Sequence, residues 1–372
     1  MIKNIFKNYI YPISVFSGGV IGVGFLSLPY VAMQSGIFVT LAYFLGLTAL
    51  TVIINLIFCD ISLKTPDFKR FPGFVGYYLG KKAEFITMIL IILGAIGVLL
   101  AYLLVGTQFL SSVFDNSGNT LIFALTYFVI VSVIIYFDIK VVSKVEFWIL
   151  ILLFLSLLLV FIKGFSQIKL DNIFIPAQGP VLSSFFFPYG PLLFALWGVG
   201  LIPEVEEMIR GNKKRLKTII TISTIIISVF YFLFAILILG ITGNQTDQTA
   251  LTALKGFLGG NIIYVTLLMG ALASIMAFVT QGLLLKKTLI FDLKIKHWQA
   301  FVITCCPPLI LFLLGFTSFI TLLSFIGAVL IGIDGILILL MYKKIGGKNI
   351  TIYLLSSVFL LGVIYELIYF FK

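Results

Sequence analysis

Eleven apolar runs, each close to the length that crosses a bilayer, constrain this chain more than any other feature of its sequence. Its residues are 61% hydrophobic and only 10% charged, which leaves too little polar surface for a fold whose outside faces water. In lipid, a segment of this length satisfies its own backbone hydrogen bonds as an α-helix, so the sequence predicts an all-α polytopic membrane protein. The predicted spans are residues 11–34, 37–61, 85–113, 120–137, 147–162, 185–208, 218–241, 261–285, 298–314, 319–342 and 350–371.

Lysine and arginine occur in short clusters between these runs and give the chain a net charge of +11. With the N-terminus in the cytoplasm, all but four of the 25 lie in cytoplasmic connections, the exceptions being Lys163, Lys169, Lys255 and Lys372. This asymmetry follows the positive-inside rule and predicts a multi-pass protein of the cell (inner) membrane with a cytoplasmic N-terminus. Because the clusters form no continuous basic stripe, the expected partner is the lipid bilayer and not nucleic acid.

The first run carries four glycines close together, Gly18, Gly19, Gly22 and Gly24. Glycine lowers helix propensity, so we expect the first membrane helix to be broken here. Close packing of two helices is the alternative interpretation, because Gly18 and Gly22 form a Gly-x-x-x-Gly pair.

The sixth run contains a second Gly-Val-Gly tripeptide, at Gly198 to Gly200. Pro203 follows, with Glu204 and two further glutamates behind it, a pattern typical of a helix N-terminus. The sixth helix is therefore predicted to restart near Pro203. Since the first and sixth runs cross the membrane in opposite directions, the two breaks indicate an inverted repeat.

Broken helices leave backbone amides and carbonyls without partners at a depth where lipid offers none. A polar ligand can complete them, and an α-amino acid fits because its carboxylate suits the amides and its ammonium suits the carbonyls. A secondary amino acid transporter is therefore favoured over plain packing. A channel is a further alternative, although no ring of polar or charged residues is visible. One histidine, His297, and the absence of nucleophile or phosphate-loop motifs argue against an enzyme, and nothing predicts a cofactor or a metal.

The residues around both breaks resemble prokaryotic members of the amino acid/auxin permease family, in the amino acid-polyamine-organocation superfamily. The similar stretches are Gly19 to Gly24 with Leu28-Pro29, Ala101-Tyr102 with Gly106, Pro203 to Val205, Leu285 to Asp292, and Gly332 to Gly335. The resemblance implies a leucine-transporter-like fold with a five-plus-five inverted repeat, broken helices 1 and 6, and an appended eleventh helix. It implies a ten-helix core in residues 1–342, with repeats at 9–164 and 185–342, and the appended helix in 343–372. It also implies alternating-access transport of an amino acid.

The same resemblance implies roles for residues at the breaks. Amides of the first Gly-Val-Gly would bind the substrate carboxylate, groups just before it and at the sixth-helix break would face the ammonium, and aromatic side chains would select a neutral or aromatic substrate. The implied substrate-binding residues are Ser17, Gly18, Gly22, Val23, Gly24, Tyr102, Phe194, Trp197, Gly198 and Gly200.

The coupling ion is the remaining question. Sodium-coupled proteins related to the resembled family hold the ion between the first break and neighbouring hydroxyls of the eighth helix, but here Ser274 and Thr280 lie roughly 120° apart around that helix. A proton is therefore favoured, with a sodium-coupled or exchange-type carrier as the alternative. The candidate coupling or gate residues are Glu204, Ser274 and Asp334. Glu204 and Asp334 are included because a carboxylate inside a span is costly. Helix-terminus charge is the alternative role of Glu204. Glu366 lies near a span end, where its side chain can reach water, and is assigned no role.

Overall fold

Helices make up nearly all of this protein. The computed structural model describes residues 6–67, 69–114, 119–137, 142–209, 212–257 and 261–370. Within these ranges the chain forms α-helices joined by short 3-10 and π turns, with no β-strand. Long apolar runs without water leave the backbone no other partner than itself, and the all-α prediction is confirmed.

The α-helices are α1 (Tyr11–Val20), α2 (Leu28–Ser35), α3 (Ile37–Lys64), α4 (Phe71–Leu79), α5 (Lys81–Val113), α6 (Thr120–Tyr136), α7 (Val142–Gly164), α8 (Leu170–Ile173), α9 (Val181–Phe186), α10 (Tyr189–Leu196), α11 (Ile202–Ile209), α12 (Lys213–Thr242), α13 (Asn261–Phe291), α14 (His297–Leu313), α15 (Phe319–Phe325), α16 (Ile331–Lys344) and α17 (Asn349–Phe370).

The predicted spans all contain apolar helix. Among the described residues, seven helical segments are long and apolar enough to cross a bilayer, and an eighth is a bent pair, Asn8–Val20 with Val23–Ser35, inclined by 57°. Three shorter apolar helices, Thr120–Tyr136, Ile151–Gln167 and His297–Leu313, occupy the remaining predicted spans. The polytopic membrane fold is therefore confirmed.

Both predicted helix breaks are present. In the first span, α1 ends at Val20 and a 3-10 turn, Val23–Ser27, leads into α2. In the sixth span, α10 ends at Leu196, and α11 begins after the 3-10 turn Val199–Leu201, one residue before Pro203. The tenth span holds an interruption that the sequence did not predict, a π turn (Ile326–Leu330) between α15 and α16.

The chain divides into two compact units. Unit 1 comprises Met1–Ile91, Ala177–Phe234 and Leu323–Lys372, and unit 2 comprises Ile92–Pro176 and Ala235–Leu322. Each unit draws segments from both predicted repeats, so the units do not test the repeat boundaries at 9–164 and 185–342, which stay a prediction.

In unit 1, polar side chains join α3 to the first part of α12. Asn55 Nδ2 donates to Thr224 Oγ1 over 3.3 Å. Near the end of α3, Asp60 forms ion pairs with Lys217 at 2.6 Å and Lys213 at 3.0 Å. Asn55 and Thr224 are both buried, so a slip of one helix along the other would leave these polar groups unpaired, and their contact fixes the register of α3 against α12.

In unit 2, a buried lysine caps the end of α6. Lys286 is 1% exposed, and its Nζ donates to Ile135 O at 2.8 Å and to Tyr136 O at 3.4 Å. The last carbonyls of a helix have no partner within the helix and carry partial negative charge, so an ammonium there is stabilised.

Candidate functional site

The backbone leaves the helix at the first Gly-Val-Gly. Ile21 is extended, with φ −72° and ψ 91°, and Gly22 is extended, with φ −113° and ψ −164°. The last carbonyls of α1 and the amides beyond Gly22 therefore lack the partners that a continuous helix would give them. Val20 O accepts a hydrogen bond from the Tyr231 hydroxyl at 3.3 Å, an example of a side chain that serves such a group.

A matching interruption lies in the sixth span. Trp197 is extended, with φ −76° and ψ 120°, and Gly198 has φ −132° and ψ 9°. Pro203 then stands in the first turn of α11, where its missing amide proton breaks no helical hydrogen bond.

The two breaks lie against each other in unit 1. A Cβ atom added to Gly198 would lie 2.5 Å from Cζ of Phe16, and one added to Gly24 would lie 2.8 Å from the Phe194 ring. A Cβ atom at either position would force the neighbouring aromatic side chain to shift, so glycine allows the close approach seen here. Gly24 and Gly198 therefore bring the broken segments together, whatever further role their backbone atoms have.

Two other predicted residues at the breaks, Gly18 and Gly200, have free space where a side chain would be. A Cβ atom on Gly18 or Gly200 would meet no atom within 4 Å. Beside them, the Ser17 Oγ is shielded and has no hydrogen-bond partner among the described residues. A buried hydroxyl usually has a partner, so this one marks a place where a polar ligand can bind. Gly18 makes no close helix contact, which leaves the packing interpretation without support at that position.

Two aromatic side chains border the breaks. Phe194 is half-buried beside Gly24. Trp197 is also half-buried and meets Phe359 of α17 edge to face, with ring centroids 6.4 Å apart. Apolar ring surface next to unpaired backbone groups suits a ligand with a charged end and an aromatic end.

Two further residues predicted from the sequence, Tyr102 and Ser274, lie in unit 2. Ser274 Oγ donates to Tyr102 O at 2.7 Å and lies 3.0 Å from the Tyr127 hydroxyl oxygen. Gly106 makes room for this contact, because a Cβ atom there would lie 2.1 Å from Tyr127 Cε2. The Ser274 hydroxyl is therefore already engaged by protein groups.

The acidic residues of the sixth span differ sharply in burial. Glu204 is exposed, whereas Glu206 is buried, with 6% of its surface exposed, and accepts a hydrogen bond from the Ser62 hydroxyl. In α16, Asp334 is half-buried, and its Oδ1 has no hydrogen-bond partner within the described ranges.

Sequence reasoning selected Glu204 and overlooked Glu206, although the pattern contains the signal. The buried face of α11 is marked by Ile202, Val205 and Ile209. Glu206 lies one turn after Ile202, on that face, while Glu204 points about 200° away from Ile202.

A helical membrane protein with breaks in its first and sixth spans has the architecture of the leucine-transporter fold, and the solved structures similar to this chain have that fold. MhsT in complex with L-phenylalanine has a TM-score of 0.55 and 12% identity, over 96% of this chain and 97% of that chain. The Eremococcus coleocola manganese transporter, in complex with an aromatic bis-isothiourea substituted compound, has a TM-score of 0.66 and 12% identity, over 96% and 85%. Identities this low show the fold alone.

The chain belongs to the tryptophan/tyrosine permease family, whose sequence profile matches residues 7–364. Tyrosine-specific transport system 1 of Haemophilus influenzae is 24% identical over 211 residues. That alignment covers 56% of this chain and 52% of the relative, so the chain spans about half the length of this curated relative.

One expectation from the sequence is corrected here. The amino acid/auxin permease family, which the break motifs resemble, is not the family whose profile matches, although the broader class of amino acid permease holds. Glycine and proline at the two breaks answer backbone requirements that the whole fold shares. They therefore identify the fold and cannot separate one of its families from another.

Proposed function

We propose that this protein is a secondary active transporter of aromatic amino acids that works by alternating access and couples uptake to protons. One observation carries the proposal: the two breaks of unit 1 lie against each other beside the shielded Ser17 hydroxyl, which has no hydrogen-bond partner in the described part of the chain. An aromatic substrate is supported by membership of the tryptophan/tyrosine permease family and by the similarity to a tyrosine-specific transport system. The phenylalanine held by MhsT points the same way.

The substrate carboxylate would bind the amides of Gly22, Val23 and Gly24, since free amides carry partial positive charge. The ammonium would face the Ser17 hydroxyl and the carbonyl of Gly18, with Gly198 and Gly200 supplying the backbone of the second break. Phe194 and Trp197, which border the breaks, would contact the aromatic ring, and Tyr102 of unit 2 remains a candidate for specificity.

Protons are favoured over sodium for a reason visible in unit 2. The Ser274 hydroxyl donates its proton to Tyr102 O, so its contact with the Tyr127 hydroxyl occupies one of the two oxygen lone pairs that a cation would use. Carboxylates within the spans, by contrast, can bind a proton, and Glu204 and Asp334 are the candidates taken from the sequence. The N-terminus is placed in the cytoplasm because that orientation puts most lysines and arginines inside.

Uptake by proteoliposomes tests the proposal. Labelled tyrosine should accumulate when the outside is acidic, should compete with tryptophan and phenylalanine, and should persist when choline replaces sodium at fixed pH. Accumulation that requires sodium would make the carrier sodium-coupled, and exchange without net accumulation would make it an exchanger. Single-channel currents would favour a pore, and no flux of any aromatic amino acid would overturn the proposal.

A further inference from the structure

A second glutamate, far from the breaks in sequence, is buried in the last helix. Glu366 of α17 is only 3% exposed. Ser324 Oγ donates to its Oε2 at 2.8 Å, and its Oε1 has no hydrogen-bond partner in the part of the chain that the structure describes. The expectation that this side chain reaches water at the span end is therefore wrong.

Glu366 belongs to the packed face of α17. The buried residues of this helix are Ile352, Leu355, Phe359, Gly362 and Glu366, three or four positions apart in turn. Glu366 thus takes a place where an apolar residue would serve packing better. A carboxylate so placed costs free energy unless it is neutralised, and one neutral hydroxyl does not neutralise it.

The neighbours of Glu366 within the described ranges offer it hydroxyls and no ion pair. No described lysine, arginine or histidine forms an ion pair with it. The titratable groups on its own helix are Tyr353, Tyr365 and Tyr369, and Tyr43 of α3 lies near Tyr365. The helices packed against α17 carry Tyr189 of α10 and Asp334, Tyr342, Lys343 and Lys344 of α16. The two lysines stand in the last turn of α16, whereas Ser324, the partner of Glu366, lies before its first turn. Since no lysine, arginine or histidine in the described part of the chain pairs with the carboxylate, a proton is the species that can balance its charge.

The partner of Glu366 is connected to the broken sixth span. Ser324 lies just before the π turn Ile326–Leu330, and its carbonyl oxygen would be 2.4 Å from a Cβ atom on Gly190 of α10. A Cβ atom on Gly327 would lie 1.9 Å from Gly190 O. The π turn thus packs backbone to backbone on α10, the half-helix that ends at the break, and such tight contacts transmit small shifts.

A second contact leads from α17 to the same break. Phe359, two turns before Glu366, is fully buried and meets Trp197 edge to face. The appended helix is therefore linked to the start of α10 indirectly, through Ser324 of α15, and contacts Trp197, just after the end of α10, through Phe359.

We propose that Glu366 is a proton-binding site of the transport cycle, located in the appended helix and linked through Ser324 and the π turn to the broken sixth span. This rests on the proposed function, since it names a group that would carry the driving proton. The carboxylate takes a proton from the outer solution and later releases it to the inner solution. Loss of the proton leaves a buried charge with one donor, which favours a movement of Ser324 and α10 that supplies further polar partners.

The test compares Glu366→Gln with the parent in proteoliposomes, and Ser357→Ala serves as a control because Ser357 lies on the uncovered face of the same helix. A gradient of one pH unit can drive about a tenfold accumulation for each proton carried. Glu366→Gln should lower that ratio to about one while tyrosine exchange continues, and Ser357→Ala should keep it. A Glu366→Gln protein that still accumulates tyrosine from the pH gradient overturns this inference alone. A parent that shows no pH-driven accumulation overturns the proposed proton coupling itself.

A measurement on the parent covers the case in which Glu366→Gln does not fold. Dicyclohexylcarbodiimide adds to protonated carboxyl groups in apolar surroundings, and peptide mass spectrometry locates the adduct. Glu366 should be labelled, and labelling should fall as pH rises. The absence of label on Glu366 at acidic pH, under conditions that label other carboxyls of the chain, would refute the assignment.

Discussion

Among single residues, the glycines of the two breaks fall into two groups that the sequence does not distinguish. Gly24 and Gly198 face side chains that leave no room for a Cβ atom, whereas Gly18 and Gly200 face open space. A substitution at Gly24 would weaken binding merely by displacing Phe194, so it cannot separate a ligand site from packing. A substitution at an open glycine can make that distinction.

We predict that Gly18→Ala weakens tyrosine binding by about tenfold, equivalent to about 1.4 kcal/mol, without loss of stability. The added methyl group meets no protein atom within 4 Å, and alanine is the better helix former. It would, however, approach a substrate that lies beside Ser17. Binding of labelled tyrosine to purified, detergent-stable protein measures the effect.

Gly46→Ala is the matched control, because Gly46 is also helical, uncovered and open, but lies in α3 away from the breaks. It should bind tyrosine like the parent. Equal affinity in the parent and Gly18→Ala would mean that substrate does not approach Gly18.

At the scale of a helix, the role of a charged residue depends on whether it lies on the buried or on the exposed face. The sequence predicts where α11 begins, because proline and acidic residues mark its N-terminus. The sequence indicates which residues are buried only through the spacing of apolar residues, and the eight residues of α11 contain few repeats of that spacing. Glu204 and Glu206 are consequently alike in sequence and opposite in structure.

We predict that Glu206→Ala destabilises the protein by about 1–3 kcal/mol, because it removes the acceptor of the buried Ser62 hydroxyl and leaves that donor unpaired. Glu204→Ala, two residues earlier on the uncovered face, should change stability by less than about 0.5 kcal/mol. The thermal unfolding midpoint in detergent compares them. A midpoint for Glu206→Ala no lower than that of Glu204→Ala would show that the buried contact with Ser62 does not stabilise α11.

Across the whole molecule, the sequence predicts the features that the bilayer requires and does not predict those that depend on packing between distant segments. The spans and both breaks follow from hydropathy, glycine and proline, which act locally. The π turn of the tenth span and the burial of Glu366 depend on residues distant in sequence, Gly190 and Ser324, so no local pattern reveals them. Asp247, in the connection between α12 and α13, is also partly buried.

We predict that Asp247 makes the stability of the protein depend on pH. Burial raises the pKa of its carboxyl from 3.8 to about 6, although backbone amides of Thr249, Ala250 and Ala253 offset part of that cost by donating to it. The folded state therefore holds the proton more tightly than the unfolded state. Below about pH 4 both states are protonated and the contribution is complete; as pH rises to about 6 the contribution is lost, by up to about 3 kcal/mol.

Replacement of Asp247 by asparagine removes this titration. As pH rises from 4 to 7, the unfolding midpoint of Asp247→Asn should therefore rise relative to that of the parent. The size of this shift should correspond to about 3 kcal/mol of unfolding free energy. Asp171→Asn is the control, because Asp171 lies exposed in α8, in the other long connection. It should follow the parent at every pH. A difference between parent and Asp247→Asn that stays constant from pH 4 to 7 would mean that Asp247 holds its proton equally in both states, and that its burial in the connection does not persist in solution.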